Sequence, residues 1–286
     1  LSNTLTETTL DTGLVHLTIE NRAARAVLYT QGAHLTSYQP QGQPDQLWVS
    51  DAETYQAGRA IRGGIPICWP WFGDHESNAD APAHGLARTR VWEWELLAET
   101  EQRTDLRLWL DTDGTDPGFP HQARAELLVS VGDSLILALT TQNLSKQPFQ
   151  LSQALHSYFP ITDLSKAAIG GLDGQFYHNK LTGQSATWPT SFRVDQEVDC
   201  IVLDRGAPLR LNRGDGHITQ IKRQGSRSVV VWNPWVDKSK TLSNFNDHDY
   251  QHMLCLEAAN AAEDARLLKA GHSHTLICEI SSEPSH

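Results

Sequence analysis

Short runs of alternating apolar and polar residues, each closed by turn chemistry, recur along the whole chain, and no stretch keeps a 3.6-residue apolar period for three turns. Length alone would allow a large β or α/β domain or two small ones. The pattern selects a nearly all-β architecture. "LVHLTIEN" is followed by "AARAVLYT", and "VWEWELLAE" by "TDLRLWLDT", while "ARAELLVSVGDSLILALTTQNL" turns back on itself at Gly132 and Asp133. Each pair reads as an antiparallel hairpin. Further strands are expected in "FQLSQALHSYFPI", "HITQIKRQ", "SVVVWNPW" and "HTLICEI". No repeat, low-complexity tract or linker cuts the chain, so residues 1–286 read as a single domain of large stacked antiparallel sheets.

Two segments depart from the pattern: residues 58–90 and 233–250 are long, polar and rich in Gly or Pro. Long ordered loops on a β scaffold are where sites concentrate. A formal charge of −11 argues against a nucleic-acid or anionic-membrane surface, so an anionic ligand must meet a local cationic pocket. Cys68, Cys200, Cys255 and Cys278 are far apart and form no C-x-x-C pair, as expected of buried free thiols in a reducing compartment. Residues 1–10, "LSNTLTETTL", lack a basic start and an apolar centre, and nowhere are there about 18 consecutive apolar residues. The expectation is a cytoplasmic monomer acting on a small molecule, with no nucleic-acid or membrane partner.

Residues 59–73, "RAIRGGIPICWPWFG", combine two arginines, a Gly pair and two prolines, a loop shaped rather than slack. Downstream, "APAHGLARTR" sets His84 and Arg88 on either side of Gly85. Strand alternation through "FQLSQALHSYF" puts His156 on a face with Gln150, Ser152, Ala154 and Tyr158, leaving room above it. In "HMLCLEAANA", Glu257 likewise shares a face with Cys255 and Ala259, opposite Leu254, Leu256 and Ala258. A carboxylate in so apolar a run is either turned to water or employed. Among nine tryptophans, Trp69, Trp71 and Trp235 sit in irregular segments and are the candidates for a sugar-facing ring. The histidine-rich segments 246–253 and 271–274 lack a recognised metal-ligand spacing, and there is no G-x-S-x-G, P-loop or dinucleotide fingerprint.

The segments "IRGGIPICWPWFG", "HGLAR", "ALHSYF", "GLDGQFYHNK", "EVDC", "VVVWNPW" and "CLEAAN" follow one another over residues 61–260. In that order they resemble the galactose mutarotase-like superfamily, and within it the D-hexose-6-phosphate mutarotases, or glucose-6-phosphate 1-epimerases. The resemblance implies a β-supersandwich, no metal or other cofactor, and a hexose 6-phosphate substrate. It also implies that His156 and Glu257 are the catalytic pair, that Arg62 and Arg88 bind phosphate, and that Asp199 holds the sugar ring with His84 beside them. Ala83 stands where some members carry Gln.

Opening a cyclic hemiacetal needs one base for the anomeric hydroxyl and one acid for the ring oxygen, which matches a Glu and a His with no cofactor motif. Three other readings stay open on the sequence: an aldose 1-epimerase of unphosphorylated sugars, a non-catalytic carbohydrate-binding sandwich, and a glycosidase pairing Glu257 with Asp199.

Overall fold

The structure is a computed structural model that describes residues 4–283; the outermost residues of the expected domain, including the first three of segment 1–10, lie outside the described residues. The three expected hairpins are present: Val15–Glu20 with Ala24–Tyr29, Glu93–Glu99 with Thr104–Asp113, and Gln122–Val131 with Leu135–Asn143. The first belongs to a four-stranded sheet running from Leu5–Thr9 to His34–Pro40. The other two form half of an eight-stranded sheet continued by Ser273–Glu283, Ile218–Gln224, Leu209–Asn212 and Ala168–Gly170.

A second eight-stranded sheet carries the candidate chemistry. Its central strands are Val198–Leu203, Ser228–Asn233 and Met253–Asn260, and beyond the last lie Gln153–Leu155 and Ile67–Cys68. All the strand ladders named are antiparallel, and one apolar cluster joins both large sheets, so the expected stacked all-β architecture is present. The single α-helix among the described residues, Trp235–Ser239, has five residues, and no helix there is long and apolar enough to cross a membrane.

The period-2 rule divides this sheet cleanly. Val229, Val231, Leu254, Leu256 and Ala258 point into the cluster between the sheets. Val230, Trp232, Cys255 and Ala259 point to the opposite face and form a second, smaller apolar cluster with Cys68, Ala154 and Tyr158. Fully burying a Val or Leu contributes roughly 1.5–3 kcal/mol, so the inner face anchors the strands whose outer face builds the cavity.

"FQLSQALHSYF" is not the continuous strand the alternation predicts. It breaks into Phe149–Leu151, Gln153–Leu155 and Tyr158–Pro160, and the first piece pairs with Arg266–Leu268 in a separate two-stranded sheet. The facing nevertheless survives: Ala154 and Tyr158 lie in the cavity-side cluster, Leu155 and Phe159 in the inner one. The cause is hydrogen bonding to the 59–73 loop, since His156 N–H donates to Pro66 and Tyr158 N–H to Gly64.

That loop is stitched down as its composition predicts, by Gly64 N–H to Trp48 O and Ile65 N–H to Leu35 O. Gly64 has φ +62°, and a Cβ there would lie 2.1 Å from the Leu35 carbonyl oxygen. Gly64→Ala should therefore destabilise the protein by at least about 1 kcal/mol. Urea unfolding should show a lower midpoint at unchanged slope; an unaltered midpoint would mean that the loop can retreat.

Candidate active site

The ladder register brings the two expected residues together. Leu155 pairs with Ala258 and Tyr158 with Cys255 on the same strand, so the intervening positions set His156 across from Glu257. Their side chains meet with Nε2 of His156 3.2 Å from Oε1 of Glu257. Both are buried, and among the described residues Nδ1 of His156 and Oε2 of Glu257 have no hydrogen-bond partner. The pair opens on a cavity of about 570 Å³, within the range of small-molecule sites. The same cavity is lined by Arg62, His84, Arg88 and Asp199, so all six residues singled out in the sequence converge.

Burial disfavours charge on either member of the pair. Desolvation, aided by His84 and Arg88, pushes the His156 imidazole well below its usual range, and desolvation, aided by Asp199, lifts the Glu257 carboxyl well above its own. Both shifts favour the uncharged forms, an imidazole beside a protonated carboxyl. Tyr158 stacks on the His156 ring at 5.0 Å and 15°, and Trp232 meets both rings edge-on, which fixes the imidazole's plane.

Two guanidiniums define the cationic part of the cavity. Arg62 donates from Nε to Ser243 O at 3.2 Å and from Nη1 toward Tyr158 Oη at 3.5 Å. Arg88, in the short 3-10 turn Ala87–Thr89, donates from Nη2 to Ala83 O at 2.6 Å. Ala83 thus contributes a backbone carbonyl that aims Arg88, a contact independent of its side chain. Among the described residues neither guanidinium is paired with a carboxylate. His84, at φ +66°, accepts Gly73 N–H at Nδ1, and desolvation with Arg88 close by lowers its pKa to about 3. It is therefore neutral, with its proton on Nε2.

Asp199, on Val198–Leu203, lines the cavity in an ion pair with Lys180 at 3.1 Å. Lys180 and Phe72 are lining residues that the sequence reading did not single out, although Lys180 ends the quoted "GLDGQFYHNK". The tryptophans are a correction. Trp232 is the cavity's indole. Trp69 is wholly buried and donates to Thr141 Oγ1 in the core, Trp71 faces a neighbouring cleft, and Trp235 lines a separate open groove of about 720 Å³. That groove is larger, but its Asp163 is tied to Lys166 at the surface and it contains no buried acid–base pair.

Residues 15–281 match the family described as aldose 1-epimerase. The chain belongs to the aldose 1-epimerase family. This epimerase is 31% identical, over 90% of its own length and 87% of the other chain, to a candidate glucose-6-phosphate 1-epimerase of Escherichia coli K12. Its fold superimposes with a TM-score of 0.90 on a crystal structure of a candidate mutarotase, YeaD, from Salmonella typhimurium, at 26% identity over 99% of this chain and 94% of that one. A galactose 1-epimerase from Lactobacillus acidophilus shares the fold at a TM-score of 0.74 and 12% identity, covering 99% of this epimerase and 98% of that chain.

Proposed function

We propose that this epimerase interconverts the α and β anomers of glucose 6-phosphate and related hexose 6-phosphates, with residues 1–286 acting as one domain. The observation that carries the reading is the cross-strand His156–Glu257 pair facing a cavity that also holds two guanidiniums without carboxylate partners among the described residues. The name of the Escherichia coli relative points the same way.

In the productive tautomer Glu257 is a carboxylate and His156 an imidazolium, reached from the neutral pair by one proton transfer across the 3.2 Å contact. Glu257 takes the proton of the anomeric hydroxyl as His156 gives one to the ring oxygen. The C1–O5 bond breaks, leaving an open-chain aldehyde between a neutral imidazole and a carboxylic acid. That is the charge state which the desolvated site favours, so burial works for ring opening. Rotation about C1–C2 presents the other carbonyl face, and closure reverses both transfers. Arg62 and Arg88 hold the phosphate remote from C1. Asp199 and the Nε2–H of His84 are available to ring hydroxyls. Asp199 is also the carboxylate a glycosidase would pair with Glu257, and its contact to Lys180 argues for a binding role.

The test is exchange spectroscopy by NMR of glucose 6-phosphate anomers beside free glucose and free galactose. Faster exchange with the phosphorylated sugar is expected; preference for free galactose would place the enzyme among unphosphorylated-sugar epimerases. The pH profile of kcat/KM supplies a second check. Activity needs the single shared proton, so it should fall in acid as a second proton reaches the imidazole, below that group's ordinary value of 6.5. It should fall again in alkali as the last proton leaves, at a point displaced upward from the carboxyl's ordinary 4.5. A rate still climbing at the alkaline end would rule out the shared-proton scheme.

A further inference from the structure

A thiol stands beside the acid–base pair without a part in ring opening. Cys255 lies on the cavity-side face of Met253–Asn260, two positions before Glu257 and across from Tyr158. Donor atoms of His156, Cys255 and Glu257 all lie within 4.8 Å of one another, a grouping that the histidine-rich segments 246–253 and 271–274 do not form among the described residues. All three residues are buried, Cys255 and Glu257 almost completely, and among the described residues His156 Nδ1 and Glu257 Oε2 lack partners.

Imidazole, thiolate and carboxylate together are a donor set for borderline-soft divalent ions, and hard ions such as Mg²⁺ or Ca²⁺ need an oxygen shell that is absent. Zinc bonds of about 2.0–2.3 Å put tetrahedral ligands about 3.5 Å apart, so closing the triangle by roughly an ångström suffices. A tetrahedral ion would keep a fourth position for a water on the side of the cavity that His156 and Glu257 line. One thiolate and one carboxylate also cancel the charge of a dication, giving a neutral complex. A bare cation would be repelled by Arg62 and Arg88 around the same cavity.

The geometry points to an inhibitory site for a thiophilic divalent cation, Zn²⁺ above all, formed by His156, Cys255 and Glu257. As the S–Zn and O–Zn bonds form, the thiol proton and the proton shared by the pair pass to water; no electron is transferred. Filling the site ties up the proton donor and acceptor of the proposed epimerisation together, and only this inhibitory consequence rests on the proposed function.

Cobalt(II) is the binding probe, because a thiolate–cobalt bond gives a charge-transfer band in the near ultraviolet whether or not the protein turns over sugar. EDTA-treated, dialysed protein should develop the band with one equivalent of Co²⁺ and lose it to Zn²⁺. Cys255→Ala should lack the band and bind Zn²⁺ at least about 10-fold more weakly, as should His156→Asn, while Cys68→Ala, a buried thiol of the same cluster, should keep both. Glucose 6-phosphate exchange should be unchanged by EDTA, stopped by Zn²⁺ in the wild type, restored by EDTA, and resistant to Zn²⁺ in Cys255→Ala. No band, or a band that survives in Cys255→Ala, overturns the site. Exchange that persists with the site filled, or that is lost on EDTA treatment, overturns the inhibitory role. A cobalt band in a wild-type protein that exchanges no sugar upholds the site and removes the proposed function instead.

Discussion

Glu257→Gln should lower kcat for anomer exchange by at least about 100-fold, the scale of one positioned proton transfer. The amide keeps the volume and can still hydrogen-bond His156 across the 3.2 Å contact, yet it cannot accept the anomeric proton. His156→Asn should cost a similar factor. The double substitution should fall little below either single one if, as proposed, acid and base act in one concerted step. The fold should survive. A carboxyl with an unpartnered buried oxygen is a destabilising group, so Glu257→Gln should melt no lower than the wild type at neutral pH. Here the folded carboxyl binds its proton more tightly than the unfolded one, so the stability deficit is absent below 4.5 and grows as pH rises toward the folded value. Near-normal exchange in a folded Glu257→Gln protein would remove this residue from the mechanism.

Arg62→Ala and Arg88→Ala should each weaken kcat/KM for glucose 6-phosphate by roughly 10- to 150-fold, the worth of one charge-assisted hydrogen bond of about 1.5–3 kcal/mol. Free glucose should be nearly indifferent. The selectivity follows from how the guanidiniums are held. Their partners are the Ser243 and Ala83 carbonyls and the Tyr158 hydroxyl, which orient the charge without neutralising it. Lys180, by contrast, is already balanced by Asp199. In a protein of net charge −11 such an uncompensated pair would let a dianion approach, so under the proposed function added salt should weaken the phosphorylated substrate alone. The loss should fall on KM if phosphate contact is equal in ground and transition states, and on kcat if it places the ring. Equal losses for glucose and its phosphate would assign the arginines to the ring or the fold.

Hairpin pairing and facing were legible because they are local: turn residues at Gly132 and Asp133 and a period of two decide them within a few positions. The facing of Glu257 could be read for the same reason, Leu254 and Leu256 being committed to the inner cluster. The break at His156 could not, since it depends on Pro66 and Gly64 supplying carbonyls from a remote loop. Nor could the opposition of His156 and Glu257 be read locally, because it is a register between distant segments; the ordered motifs suggested that they belong together without saying how. The tryptophans misled for a related reason. Irregular flanks around Trp69 implied a sugar-facing ring, yet its indole N–H finds Thr141 within the core. Trp232, set in a plain apolar run and so not among the candidates, faces the cavity.

The strand Met253–Asn260 presents hydrocarbon to the inner cluster and reactive groups to the cavity at alternate residues. Sliding it by one residue during assembly would drive Glu257 between the sheets and turn Leu256 outward, so a mis-registered molecule would be both unstable and inert. Refolded samples should consequently contain no sizeable population of compact but inactive chains mis-registered at this strand. The fraction of molecules regaining sugar turnover can then serve as a direct count of those whose central sheet has zipped up correctly.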